Sequence, residues 1–234
     1  MRDDSVLAGF DPFDVFDREA VRLDAFFSTL REGEWSTSSR CPGWTIRDVL
    51  AHLTAAESYY RACLEGKVSE FMANLASRGA TDLDSANQVG VDDLGNFTPA
   101  ELLGMWRMAN LETRQGFRER GDDMIDTSVG MYPCRWQTFH VAAELATHAD
   151  DMHVPIADDE DELRWAWRAA FSRFALTEAK PDLTLEELGD RRLRIRCEDV
   201  EFEVDEHELM EGVMNRLNNS SRLSAEQRAL LSTM

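Results

Sequence analysis

The stretch Arg135-WQTFHVAAELATHADDMHV-Pro155 decides how this chain is read. At about 100° per residue, Glu144, His148 and Asp151 share one stripe of a helix, bordered by Val141, Leu145 and Met152 on one side and Trp136, Phe139 and Ala143 on the other. Residues four apart on a helix lie one above the other, so Glu144 and His148 can share one cation. Two readings stand side by side: half of a metal site, or an ion pair on a solvated face. The apolar borders favour the first, since an ordinary wet face is not flanked by large apolar side chains on both sides. His140 extends the stripe, but its separation from His148 is a rise of ~12 Å, too far for both to hold one ion.

A third ligand must come from elsewhere, and Cys41-PGWTIRDVLAHLTAA-Glu57 offers one. Thr45 with Asp48 three positions on reads as a capping-box start for a helix running to about Glu65. His52 then lies roughly two turns in, beside Val49 and Ala56, on or near the face that must turn inward. The competing reading of His52 is a core histidine with its hydrogen bonds satisfied. If His52, Glu144 and His148 hold zinc, three N/O ligands leave a coordination position open, and an open position permits chemistry.

The remaining pattern predicts four amphipathic helices. The first runs over about 14–31, with Phe16, Val21, Leu23, Phe26, Phe27 and Leu30 available for the core. The second is the His52 helix. The third begins at Thr98-Pro99-Ala100-Glu101, which supplies a cap, an N1 proline and an N3 glutamate, and reaches about Arg120. The fourth carries Glu144 and His148. A short helix is predicted over 67–77, a long connection over 79–97 and a loop over 121–134. Four helices with one long crossover predict a bundle whose core sites are built from facing helices. Beyond Pro155 the pattern changes. A helix over about 161–178 bears Trp165, Trp167, Phe171 and Phe174 at core spacing, Leu193-RIRC and Val200-EFEV alternate across Glu198-Asp199 as a hairpin, and one or two helices finish the chain. The expected fold is mainly α, with a bundle over 1–155 and a small α/β region over 156–234.

The combination of CPGWTIRDVLAHLTAAE with a distant ExxxHxxD resembles the mycothiol-dependent maleylpyruvate isomerase family, a branch of the DinB-like helical-bundle metalloproteins, over residues 13–155. The resemblance implies zinc held by His52, Glu144 and His148, with mycothiol, a small cytosolic thiol, as co-substrate for isomerisation or S-conjugation of a small electrophile. In that scheme zinc lowers the thiol's pKa below its free value of ~8.5 and the thiolate is the nucleophile. Asp151, one turn beyond His148, orients a ligand imidazole or is a solvated carboxylate. Ser128, Tyr132 and Trp136, in or beside the loop entering the fourth helix, are pocket candidates by position. Two rival classes share the three ligands: a non-catalytic metal-binding stress or binding protein, and a zinc hydrolase, for which no HExxH-type base accompanies the ligands.

Composition bounds the rest. The chain has 234 residues, with 45 acidic against 25 basic and a formal charge of −20, which repels phosphate backbones and anionic membrane surfaces. The strongest basic run, Arg191-RLRI-Arg196, alternates like an edge strand, so neither a nucleic-acid nor a membrane partner is expected. MRDDSVLAGFDPFD at the N-terminus lacks a signal peptide's basic and apolar regions, and the expected location is cytoplasmic. Cys41, Cys63, Cys134 and Cys197 form no CxxC pair and read as reduced thiols. Lys67 and Lys180 are the only lysines, an arginine bias of high-GC genomes such as those of actinobacteria, which make mycothiol.

Overall fold

The computed structural model describes residues 4–233, so Met1 to Asp3 of the acidic N-terminus and Met234 lie outside the described residues. It separates into two compact units: one is Asp11–Pro155, and the other joins the described residues up to Phe10 with those from Ile156 onward.

In the first unit, α1 (Pro12–Thr29), α2 (Ile46–Glu65), α5 (Pro99–Arg120) and α6 (Cys134–Asp151) are the four long helices. α1 packs along α6, α2 along α5, and α1 also against α5. Phe16, Leu23, Phe27, Leu50, Leu53, Leu102, Trp106, Phe117 and Leu145 fill the space between them, all essentially inaccessible to water. Phe27 stacks on Trp35 and meets Trp106 edge-on, each at 5.8 Å between ring centroids. α1 begins earlier than its apolar pattern alone suggests, because Asp11 accepts a hydrogen bond from the Phe13 N–H (2.9 Å) and Pro12 occupies the first turn. Its buried face is Phe13, Phe16, Ala20, Leu23 and Phe27, spaced alternately by three and four; Val21 falls off that face and is 63% exposed.

The crossover is more ordered than expected. After α3 (Val68–Ser77), the predicted connection over 79–97 contains α4 (Leu83–Asp93), which packs on α2. Asp82 caps it, accepting from the Ser85 N–H at 2.8 Å. The predicted loop over 121–134 holds a hairpin, β1 (Met124–Thr127) with β2 (Gly130–Pro133). Its turn is Ser128-Val129, without the Asn-Gly signal that announces most two-residue hairpins. Thr127 holds the turn by donating its hydroxyl to the Gly130 carbonyl (2.7 Å).

In the second unit, α7 (Asp158–Ala179) buries Trp167, Phe171 and Phe174 and packs against the one-turn 3-10 helix Ser5–Leu7. Trp165 is half-buried instead, donating from Nε1 to Glu206 (2.6 Å) beneath the Arg191 guanidinium. The sheet is three-stranded and antiparallel in the order β3 (Thr184–Gly189), β4 (Arg192–Cys197), β5 (Val200–Asp205), followed by α8 (Glu206–Val213) and α9 (Ala225–Leu231). The arginine run is therefore the central strand, not an edge: Leu193 and Ile195 face the core, and Arg192, Arg194 and Arg196 pair with Glu186, Glu201 and Glu203 on the neighbouring strands. Among the described residues, no helix is long and apolar enough to cross a membrane.

Candidate metal centre

One tight turn aims two side chains at this centre, and the helix start that follows it aims a third. The Trp44 N–H donates to the Cys41 carbonyl (3.1 Å), with Pro42 at the second position and Gly43 at φ +82 in the third, the requirements of a type II turn. The chain doubles back there: Ser39 N–H donates to the Trp44 carbonyl and Ile46 N–H to the Thr37 carbonyl, both at 2.9 Å. Arg40 N–H donates to the Asp151 carbonyl (2.9 Å), tying the turn to the end of α6. Cys41 is thereby directed toward α6 and Trp44 toward α2. Thr45 and Asp48 then form the predicted capping box, the Thr45 N–H donating to Asp48 Oδ2 at 2.9 Å, and this start sets the phase that turns His52 inward.

His52 Nε2 lies 2.8 Å from Glu144 Oε1, and His148 Nε2 lies 3.1 Å from the same oxygen. The two imidazoles, from different helices, meet edge to face at 4.8 Å between ring centroids. Both histidines are buried, while the Glu144 side chain is 29% exposed. Behind this group, His148 Nδ1 is 3.2 Å from Asp151 Oδ2 and 3.7 Å from Cys41 Sγ, and the Cys41 thiol donates to Asp151 Oδ2 (3.1 Å). Asp151 is fully buried, so it is not a solvated carboxylate. In front, the Trp44 indole packs on His52 at 5.1 Å and donates from Nε1 to Gln88 Oε1 (3.0 Å).

Burial pushes the Glu144 carboxyl up, but the charge and hydrogen bonds of His148 and His52 outweigh it and hold it well below the usual carboxylate range. Burial likewise lowers His148, and the Glu144 charge with hydrogen bonds to Asp151 and Cys41 more than reverses this, raising it well above the ordinary imidazole value. Positive charge is favoured where His148 sits, and what favours a proton there favours a divalent cation too. One ligand atom each from His52, Glu144 and His148 lies within 4.8 Å of the others, so the donor set fits a divalent metal such as zinc. The second imidazole nitrogen of His148 is held by a carboxylate, the usual arrangement behind a metal-binding histidine.

His140 stands apart, its Nε2 3.2 Å from the Tyr132 hydroxyl. Tyr132 also packs edge-on against Trp136 at 5.7 Å. Ser128 lies on the hairpin turn, where its hydroxyl accepts from the Tyr59 hydroxyl (3.2 Å). These side chains join the hairpin to α2 and α6 and are not among the grouped ligand atoms. Sequence reasoning missed the roles of Cys41 and Trp44. The signal was the Pro42-Gly43 pair, whose turn type sets both directions.

Residues 16–153, more than half of the chain, match the family described as the mycothiol maleylpyruvate isomerase N-terminal domain. The chain belongs to that family. Among solved structures, the crystal structure of the mycothiol-dependent maleylpyruvate isomerase aligns with a TM-score of 0.51 at 15% identity, over 72% of this chain and 68% of that one. A crystal structure of a mutant of the same enzyme aligns with a TM-score of 0.50 at 14% identity over the same shares. Identities this low establish a common helical fold. Among curated proteins, none matches this chain. The maleylpyruvate isomerase family is one of enzymes, so its match to this chain supports an isomerase over a non-catalytic binding protein.

Proposed function

We propose that this enzyme uses a thiol, mycothiol, as the nucleophile in isomerising or conjugating a small electrophile, with His52, Glu144 and His148 holding zinc or another divalent metal. The observation that carries this reading is the convergence of two imidazole Nε2 atoms from two helices on a single carboxylate oxygen. Asp151, holding Nδ1 of His148, keeps Nε2 free to face the cation. Burial of both histidines excludes bulk water, which strengthens every charge interaction between them. When bound, the cation supplies positive charge that keeps a thiol ionised near neutral pH. The thiolate sulfur adds to an electron-poor double bond of the electrophile, whose electrons move onto the conjugated carbonyl. Rotation about the resulting single bond and expulsion of the thiolate return the isomer. Retention of the sulfur, with proton uptake at carbon, gives the conjugate instead.

In this reading Asp11–Pro155 form the metal-binding bundle, and the described residues up to Phe10 join those from Ile156 onward in a small α/β region. Tyr132, His140, Trp136 and Ser128 are the pocket candidates for the electrophile, and the enzyme works in the reducing cytoplasm where the thiol is made. Metal analysis of the purified protein tests the ligands: His52→Ala, Glu144→Ala and His148→Ala should each lose the metal, and His140→Ala should retain it. Cobalt substitution tests the thiol, since sulfur coordination produces an intense charge-transfer band. A cobalt spectrum unmoved by mycothiol at neutral pH, with cobalt still bound, refutes thiol activation.

A further inference from the structure

His148 stands between two carboxylates at almost the same distance: Glu144 Oε1 is 3.1 Å from Nε2, and Asp151 Oδ2 is 3.2 Å from Nδ1. A neutral imidazole has one N–H donor and one lone pair, so one nitrogen donates while the other can ligate. Both tautomers of His148 have an acceptor in place. With the proton on Nδ1, Asp151 accepts it and Nε2 faces the oxygen shared with His52; with the proton on Nε2, Glu144 accepts it and Nδ1 faces Asp151 and Cys41.

Cys41 Sγ, His148 Nδ1 and Asp151 Oδ2 form a second set of ligand atoms behind the ring, each within 4.8 Å of the others and all on buried residues. The separations are 3.1 Å between sulfur and oxygen, 3.2 Å between nitrogen and oxygen, and 3.7 Å between sulfur and nitrogen. Donors bound at ~2.0–2.3 Å around a tetrahedral cation lie roughly 3.3–3.7 Å from one another, so small side-chain shifts admit an ion. A thiolate with a carboxylate neutralises a divalent charge within the buried site, whereas the His52, Glu144 and His148 set supplies one negative charge. The two sets also differ in softness: sulfur selects thiophilic cations, while two imidazoles and a carboxylate suit harder ones.

We propose that Cys41, His148 and Asp151 form a second cation site, selective for a thiophilic ion such as cadmium or copper(I), and that its occupation excludes a metal held by His52, Glu144 and His148. Binding releases the Cys41 thiol proton to solvent and leaves His148 with its remaining proton on Nε2, donated to Glu144. One neutral imidazole offers one lone pair, so His148 serves the front set or the rear set but not both. The exclusion, though not the rear site itself, rests on the metal reading above. A thiophilic ion would thus disable the enzyme from behind, without entering through the position where the thiol binds.

Cadmium-113 NMR of the full-length protein in thiol-free buffer tests the assignment, because a sulfur ligand moves the cadmium resonance far from the range of nitrogen and oxygen ligands. The native protein should show a sulfur-shifted resonance. Cys41→Ala should lose it, and so should Cys41→Ser, which keeps a hydroxyl in place of the thiol; Cys63, Cys134 and Cys197 belong to neither set of ligand atoms and should not replace it. His52→Ala should keep the resonance, since the rear set does not use His52. Titration of cadmium into zinc-loaded native protein should release one zinc per chain as the sulfur-shifted resonance grows. The rear site is overturned if native protein binds cadmium only in the nitrogen and oxygen range or not at all, or if the sulfur-shifted resonance survives Cys41→Ala. A sulfur-shifted resonance that grows while zinc stays bound overturns the exclusion. Retention of zinc by His52→Ala, with sulfur-bound cadmium still dependent on Cys41, supports the rear site and overturns the front ligand set instead.

Discussion

Cys41 Sγ stands 3.1 Å from Asp151 Oδ2 across 110 positions of sequence, and both press on the same nitrogen of His148. Asp151 is the stronger partner, because a buried carboxylate fixes the imidazole's tautomer and increases its basicity, whereas a thiol is a weak donor. Asp151→Asn should weaken metal binding roughly 10–100-fold. Cys41→Ala should alter it only slightly. Competition against a chelator of known affinity gives both numbers. Equal affinity in native and Asp151→Asn protein, with the fold intact by circular dichroism, would remove Asp151 from any role in orienting the ligand.

Gly90 brings α4 close to α2. A Cβ there would sit 2.7 Å from Ala55 Cβ, closer than real carbon atoms approach, and neither partner is a flexible chain end that can swing away. Gly90→Ala should force the helices apart and cost about 1–3 kcal/mol. Gly104, on α5, offers the control: a Cβ there meets nothing within 4 Å, so Gly104→Ala should stabilise by about 0.5–1 kcal/mol through helix propensity alone. Urea midpoints measure both, and movement of the two in the same direction contradicts this account of the α2–α4 contact.

Phe27 anchors the bundle between Trp35 and Trp106. Phe27→Ala opens a cavity that two rigid indoles cannot collapse into, and should cost about 3–5 kcal/mol. Thermal unfolding followed by calorimetry checks it. A loss under about 1 kcal/mol would mean that the site repacks freely and that this aromatic cluster is not a rigid part of the core.

The long helices were legible because their start signals are strong and local. Thr45 with Asp48 and Thr98 with Glu101 both form the capping boxes that their spacing announces. The inward direction of His52, Glu144 and His148 was legible from phase: once a helix start is fixed, a period of about 3.6 residues determines which side chains face inward. What escaped depends on tertiary contact. α4 is polar and short, and is held by the Gly90–Ala55 approach, which no local pattern reports. The β1–β2 hairpin turns through Ser128-Val129, and β3 pairs with β4 through Glu186 and Glu187, residues of low strand propensity. Cys41 could not be placed behind His148 from sequence, because the contact needs the turn and the end of α6 together.

Glu57 provides a test by pH. It lies on α2 at 2% exposure, Oε1 accepts from Asn110 Nδ2 (2.9 Å), and Oε2 has no hydrogen-bond partner among the described residues. Burial pushes its carboxyl up to about 7, and the Thr113 and Asn110 side chains with the charges of Arg114 and Arg61 offset this only in part. In the unfolded chain the same carboxyl titrates near ~4.3. Between these values the folded protein holds a proton that the unfolded chain has lost, so stability falls as pH rises through this window and levels off above it. The full loss is roughly 4 kcal/mol, at about 1.4 kcal/mol per pH step. Glu57→Gln keeps the carbonyl that accepts from Asn110 and cannot ionise, so it should remove this fall and be the more stable protein at pH 8. His148, whose pKa is also raised, titrates in both proteins, and the difference between them therefore isolates Glu57. Urea unfolding of both proteins at pH 5 and pH 8 makes the comparison. Parallel pH profiles for native and Glu57→Gln protein would show that this carboxyl does not titrate between those limits.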